Sequence, residues 1–178
     1  MSLSQDWTPQ YCEDATYIPA SPDQVFDALL DIDGWNDWWV MMRFEPEAAG
    51  ALVPGSRVVF DGGVSRWIAE VLRIDRPRSI RFRYAEGDLL GETEWRITPE
   101  PGGCRAAYVY HGVTANANRA AATFGTFGTK LHMMVMEKDA LDGLVRKVTG
   151  APLDAAWRDS VRAAVAVGRA ALVTEIGA

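Results

Sequence analysis

SIRFRYAEGDLLGETEWRIT, residues 79–98, is the stretch of the sequence that decides the fold class. Apolar or aromatic side chains alternate with charged ones in both of its halves, at Ile80, Phe82, Tyr84, Thr93, Trp95 and Ile97. Alternation with a period of two is typical of strands that have one covered face and one face in water. Glu86-Gly87-Asp88 has the composition of a turn between the halves. The stretch therefore predicts two strands of an antiparallel sheet.

Segments on both sides extend this predicted sheet. We expect further strands near residues 11–19, 55–60, 65–75 and 104–114. Asp61-Gly62-Gly63 and Pro101-Gly102-Gly103 provide hairpin connections between neighbouring strands. In the last strand the inward positions are Cys104, Ala106, Tyr108 and Tyr110. Strict alternation then directs His111 outward.

Helix signals precede and follow the strands. Ser21-Pro22-Asp23 supplies an N-cap, a first-turn proline and an acid, which predicts a helix that ends near Asp33-Gly34. Residues 35–44, WNDWWVMMRF, predict a second short helix, and residues 45–54 predict a loop. Between residues 121 and 148 the apolar period changes to 3.6, which predicts one long helix that ends at Gly150.

A last amphipathic helix is predicted after Pro152, with Trp157, Val161, Val165 and Leu172 on one face. This face either docks on the chain's own domain or pairs with the same helix of a second chain. The short turn at residues 150–152 favours docking on the same chain. We therefore expect a domain at residues 1–150, a helical extension at residues 151–178, and either a monomer or a homodimer.

Composition narrows the classes of function. A net charge of −6 argues against nucleic-acid binding, since such proteins carry a basic patch. No apolar run reaches the ~20 residues that a membrane helix needs, so we expect no membrane insertion. Two cysteines and no recognisable export signal predict a cytoplasmic protein. No metal-site spacing of Cys and His is present, so we expect neither a metal nor a cofactor.

Four segments in order resemble a known family. They are IPASPDQVFDALLDIDGWNDWW (18–39), EVLRIDRPRSIRF (70–82), GETEWRITPEPGGCRAAY (91–108) and LHMMVMEKDALDGLVRKV (131–148). Over about residues 11–150 the chain resembles the START-related (SRPBCC) superfamily, in its polyketide cyclase/dehydrase-like branch. The resemblance implies an α+β helix-grip fold, in which a curved antiparallel sheet wraps around the long helix. It also implies a deep apolar cavity between the two, while the helix after Pro152 lies outside the family pattern.

Aromatic, methionine and aliphatic side chains are the candidate walls of this cavity. The predicted ligand-binding residues are Trp38, Trp39, Trp67, Tyr84, Trp95, Tyr108, Tyr110, Phe127, Leu131 and Met134. Such side chains suit a large, flat, apolar ligand, although they can also simply fill a core. The candidate catalytic groups are the inward hydroxyls of Tyr84, Tyr108 and Tyr110 and the imidazole of His132.

Three functions remain open at this point. The first is a carrier or sensor that binds a small hydrophobic molecule, aromatic or polycyclic and polyketide- or lipid-like. The second is an enzyme of the polyketide cyclase or dehydratase type, which the family also contains. The third is a protein-interaction module, and its support is the acidity of the first 50 residues, which hold ten acids and one base.

Overall fold

One antiparallel sheet dominates the computed structural model, which describes residues 7–63, 65–115 and 132–176. The strands of the described residues are β1 (Trp7–Ile18), β2 (Arg43–Pro46), β3 (Arg57–Asp61), β4 (Arg66–Asp75), β5 (Ser79–Gly87), β6 (Leu89–Glu100) and β7 (Gly103–Ala115). They lie in the order β1-β7-β6-β5-β4-β3-β2, and every neighbouring pair is antiparallel.

Within the described residues, three helices cover one face of this sheet and a fourth packs against the third. They are α1 (Pro22–Leu30), α2 (Trp35–Trp38), α3 (132–149) and α4 (Ala155–Ile176). Within α3 the turn Met136–Leu141 is π-helical and Asp142–Thr149 is α-helical. The predicted start of the long helix, near residue 121, lies outside the described residues. A curved sheet against a C-terminal helix confirms the predicted α+β helix-grip fold.

The first helix begins where the sequence predicts. The Gln24 backbone N–H donates to the Ser21 hydroxyl (3.3 Å), and the Ser21 N–H donates to the Gln24 side chain (3.0 Å). These two bonds form a capping box, which satisfies donors that a helix start leaves unpaired. Val25, Phe26 and Leu29 then bury the inner face of α1 against the sheet.

The prediction of a helix over residues 35–44 is wrong. Helix α2 ends at Trp38, and Arg43–Pro46 forms the edge strand β2, paired with β3. The Asn36 side chain pairs with the backbone of Phe44 as a neighbouring strand would. Its amide group donates to the Phe44 carbonyl and accepts from the Phe44 N–H, each at 2.9 Å. The Phe44 ring packs edge-to-face on Phe60, 4.9 Å between centroids. These contacts give the sheet a strand that the sequence did not predict.

The predicted parity of the central strands is confirmed. Their expected inward residues are all at most 4% exposed: Ile80, Phe82, Tyr84, Thr93, Trp95, Ile97, Cys104, Ala106, Tyr108 and Tyr110. His111 is exposed, as alternation predicts. Arg83 pairs with Glu70 on the outer face, at 2.8 Å. The concave face of the sheet is therefore apolar and aromatic, and it points toward α3.

Helix α4 docks on its own chain. Asp154 caps it by accepting the Trp157 backbone N–H at 2.9 Å. The residues Trp157, Val161 and Val165 form its apolar face, which packs against the segment after α2 and against α3. The residues that this face contacts are Val40, Met41, Met134 and Val135. Arg158 donates to the backbone carbonyl of Asp37 at 2.5 Å, so it meets the acidic region through the backbone, not through a carboxylate. No helix in the described ranges is both long and apolar enough to cross a bilayer.

Candidate functional site

A cavity of about 80 Å³ lies between the concave face of the sheet and α3. Most of the side chains that line it are aromatic, aliphatic or methionine. They are Trp39, Met41, Met42, Phe60, Ser65, Trp67, Tyr84, Leu89, Tyr108, Tyr110, His132, Val135 and Met136, together with Gly62. The wall is therefore assembled from the segment after α2, the β3–β4 hairpin, the central strands and the start of α3.

The structure brings together six of the predicted site residues, namely Trp39, Trp67, Tyr84, Tyr108, Tyr110 and His132. Phe127 and Leu131 lie outside the described residues. Three others do not line the cavity. Trp38 is wholly buried, and Trp95 contacts Trp39 and Tyr108 edge-to-face at 6.1 and 5.0 Å. Met134 belongs to the contact with α4, where it packs against the cluster of Trp157, Val161 and Val165.

A continuous row of rings forms one wall. The centroids of Trp67 and Tyr84 are 5.4 Å apart, and Tyr108 stacks on His132 at 5.6 Å. The hydroxyls of Tyr84 and Tyr108 join the two halves of the row through a hydrogen bond. Four rings in this order present an apolar surface whose polar atoms occur at defined points.

The tyrosines are hydrogen-bonding groups and not bases. Burial raises the pKa of Tyr108 to about 12, and burial together with Tyr108 holds the pKa of Tyr84 well above its ordinary value. Burial likewise raises the pKa of Tyr110, whose hydroxyl lies 3.0 Å from the Leu90 carbonyl and 3.1 Å from the Val113 carbonyl. All three are therefore neutral near pH 7.

His132 is the titratable group of the cavity. Its Nδ1 lies 3.1 Å from a carboxylate oxygen of Asp14 on β1, and the two side chains are 18% and 6% exposed. Burial lowers the pKa of His132, but hydrogen bonds with Asp14 and Cys12 outweigh burial and raise this pKa to about 9. The imidazole is therefore protonated at neutral pH and is held in place by Asp14.

A buried carboxylate attaches one wall of the cavity to α3. Asp139, in the π-helical turn, accepts the backbone N–H groups of Val40 and Met41 at 2.6 and 2.7 Å. Burial raises the pKa of Asp139 to about 6, although these two hydrogen bonds act in the opposite direction. A π-helical turn often marks a functional site, and here it places Met136 in the cavity wall.

Several lining or supporting residues were not among the predicted ones. Met41 and Met42 line the cavity, and Asp14 orients His132. Asp14 had a sequence signal, because it follows Cys12 on the inward face of β1, where an acid needs a partner. In the described part of the chain, no three His, Cys, Asp or Glu side chains could hold a metal ion.

Known proteins share this architecture. A family model described as polyketide cyclase/dehydrase and lipid transport matches residues 12–166. No curated protein matches the sequence. The solved structure of TTHA0849 from Thermus thermophilus is 25% identical, with a TM-score of 0.61, over 80% of this chain and 99% of that one.

Two further solved structures share the fold. The Zhui aromatase/cyclase from Streptomyces sp. R1128 is 19% identical with a TM-score of 0.61, over 83% of this chain and 98% of that one. CalU16 from Micromonospora echinospora is 18% identical with a TM-score of 0.52, over 94% of this chain and 99% of that one.

Proposed function

Since the chain belongs to the polyketide cyclase/dehydrase and lipid transport family, we propose that it is a carrier or sensor for a small hydrophobic molecule with an aromatic framework. The ligand binds in the cavity between the sheet and α3. The observation that carries this proposal is the cavity wall itself, in which stacked rings face methionines and only a few polar atoms.

The size of the cavity favours a compact ligand. Its volume of about 80 Å³ is below the ~300–1,000 Å³ of typical ligand pockets and below the ~150 Å³ of an engineered cavity that accepts benzene. Met41, Met42 and Met136 line it, and unbranched thioether side chains change rotamer easily. A ligand of one or two rings is therefore accommodated by turning methionines, whereas a polycyclic ligand requires a larger displacement of the wall.

The protonated His132 supports a second candidate, an enzyme of the cyclase or dehydratase type. A cationic imidazole held by a carboxylate can donate a proton to a departing hydroxyl or polarise a carbonyl. Dehydration of a β-hydroxy aryl ketone by the wild type, abolished when Asp14→Asn and His132→Phe are combined, would favour the enzyme. Binding without turnover favours the carrier or sensor.

Once the structure is considered, the acidity of the first 50 residues gives weaker support to a protein-interaction module than the sequence alone gave. Part of that acidity is paired inside the domain, since Arg76 contacts Asp23 at 3.4 Å and Asp27 at 2.8 Å. Asp33 also accepts the Gly50 backbone N–H at 3.0 Å. These contacts give part of the acidic residues a structural role, so we do not extend the proposal to a protein partner.

A cavity-filling variant tests the proposal. Leu89 lines the cavity, whereas Leu90, the next residue of β6, does not. We expect naphthalene or indane to bind the wild type in isothermal titration calorimetry, and Leu89→Trp to weaken binding at least tenfold because the indole occupies the space. Leu90→Trp is the matched control and keeps wild-type affinity. Equal binding by the two variants, or no binding by the wild type, would contradict the proposal.

A further inference from the structure

The sides of the cavity differ in what holds them in place. Strands supply Phe60, Trp67, Tyr84, Leu89, Tyr108 and Tyr110, and α3 supplies His132, Val135 and Met136. A cavity of about 80 Å³ admits an aromatic ring only when part of its wall moves. The hydrogen bonds of the sheet and of the helix resist movement on these sides.

One side of the described wall lies outside any helix or strand. Val40, Met41 and Met42 connect α2 to β2, and we call this segment the lid. Met41 and Met42 line the cavity, and all three lid residues are half-buried. The half-buried lining residues mark the mouth of the cavity, and they are Met41, Met42, Gly62, Leu89, His132 and Val135. The lid therefore borders this mouth.

Both ends of the lid are fixed. Before it, the Trp39 backbone N–H donates to the Trp35 carbonyl at 2.9 Å, and Trp39 is only 4% exposed. Beyond it, the backbone of Phe44 is held by the Asn36 side chain. A movement of the lid can therefore be confined to the few residues between these two points.

Between its ends the lid is held by one side chain of α3. The Val40 N–H donates to Oδ1 of Asp139 at 2.6 Å, and the Met41 N–H donates to Oδ2 at 2.7 Å. Asp139 is fully buried in the π-helical turn. Hydrogen bonds to a charged acceptor are stronger than those between neutral groups, so one carboxylate can fasten a segment that has no strand partner.

Helix α4 adds an apolar restraint. Val40 and Met41 pack against the cluster of Trp157, Val161 and Val165. To open, the lid must therefore leave both the carboxylate and this cluster. The β3–β4 turn, which also borders the mouth, is closed by its own hydrogen bond from the Gly62 N–H to the Ser65 carbonyl, at 2.9 Å.

We propose that the lid is the gate of the cavity and that Asp139 is its latch, so that a ligand enters and leaves when the Val40 and Met41 N–H groups separate from the carboxylate. This inference rests on the proposed function, because it concerns how the same ligand reaches the same cavity. Asp139 does not line the cavity, so it is a positioning residue. Opening is common to entry and exit, so the latch controls both rate constants and leaves affinity nearly unchanged.

Asp139→Asn weakens the latch with little change of shape. A side-chain amide has a single acceptor oxygen and presents an NH₂ group to the second N–H. We expect amide hydrogen exchange of Val40 and Met41, measured by NMR at pH 7.5, to become about tenfold faster, since each bond to a charged acceptor contributes at least that factor. Burial raises the pKa of Asp139 to about 6, so the wild-type latch is ionised at this pH.

Stopped-flow mixing with naphthalene measures the gate itself, through the fluorescence of Trp39 and Trp67 in the cavity wall. For Asp139→Asn we expect the association and dissociation rate constants both to rise about tenfold, while the Kd from calorimetry changes less than about threefold. Glu137→Gln is the matched control. It makes the same acid-to-amide change in the same π-helical turn, at an exposed side chain that bonds to Lys138, and it keeps wild-type rates.

A reversible cross-link tests the gate without altering Asp139. A Cβ added at Gly62 would lie 3.3 Å from Sδ of Met42, which is near enough for Gly62→Cys and Met42→Cys together to form a disulfide. The native Cys12 and Cys104 are buried. We expect the oxidised variant to bind and release naphthalene about tenfold more slowly than the same protein reduced with dithiothreitol, because the lid is then fastened to the β3–β4 turn.

The outcomes separate the gate from the proposed function. Unchanged exchange at Val40 and Met41 in Asp139→Asn overturns the latch. Faster exchange with unchanged rate constants, or an affinity lost through faster dissociation alone, overturns the gate and leaves the proposed function intact. If Asp139→Asn does not fold, the cross-linked variant decides, since equal rates before and after reduction overturn the inference. A wild type that binds neither naphthalene nor indane removes the proposed function and the gate with it.

Discussion

The buried pair of Asp14 and His132 predicts that stability falls as pH rises above neutrality. Below pH 6.5 the imidazole is protonated in both the folded and the unfolded chain, so the full stabilisation is present. It is lost as pH rises through the folded-state pKa of about 9. Each tenfold change in proton affinity is worth about 1.4 kcal/mol, so the rise from 6.5 to about 9 corresponds to about 3 kcal/mol of unfolding free energy.

Urea unfolding at a series of pH values between 6 and 9.5, followed by tryptophan fluorescence, measures this loss. Asp14→Asn removes the carboxylate that contributes most to raising the pKa of His132, so we expect the decline with pH to become much smaller. Burial also raises the pKa of Cys104, but this effect is common to both proteins and cancels in the difference. Glu13→Gln, an exposed neighbour on β1, keeps the wild-type decline. Parallel pH profiles for the wild type and Asp14→Asn would refute the reasoning.

Three further substitutions test the packing around the site by chemical unfolding. Gly143→Ala costs about 2–3 kcal/mol, because a Cβ there would lie 1.7 Å from the Trp38 carbonyl oxygen, and wild-type stability would show that α3 is not so close to α2. Asp139→Ala costs about 2–3 kcal/mol, since two backbone N–H groups lose their acceptor, and an unchanged midpoint would contradict that anchoring role. Trp95→Ala costs about 3–5 kcal/mol because the ring is fully buried, so a neutral effect would reject the strand parity.

Local sequence patterns were sufficient for six of the seven described strands and for the inner face of the central strands. Alternation alone placed Tyr84 and Tyr108 inward, because a period of two leaves only two choices for each strand. The capping residues at Ser21 likewise fixed the start of α1. The family resemblance gave the arrangement of the sheet around the C-terminal helix. These features depend either on residues that are neighbours in the sequence or on the order in which motifs follow one another along the chain.

Contacts between distant residues account for what the sequence missed. Strand β2 exists because Phe44 packs on Phe60 across the sheet edge. Asp14 and His132 are 118 positions apart, so no local pattern pairs them. Met134 does not line the cavity because α3 contacts both the cavity and α4. Met136 lines the cavity, whereas Met134 packs against α4.

We expect a small aromatic molecule to bind between the sheet and α3. The chain has six methionines, and their positions make the methyl groups reporters of where a ligand sits. Met41, Met42 and Met136 line the cavity, whereas Met133 is 44% exposed and Met134 faces α4. A bound aromatic ring shifts the resonances of methyl groups that it contacts.

Titration of protein labelled with ¹³C at the methionine methyl groups, with indane as the ligand, is the most direct test. We expect the resonances of Met41, Met42 and Met136 to shift together along one saturable isotherm, while those of Met133 and Met134 stay in place. Saturable shifts confined to Met133 and Met134, or calorimetric binding that leaves all three cavity methyl groups unmoved, would contradict it.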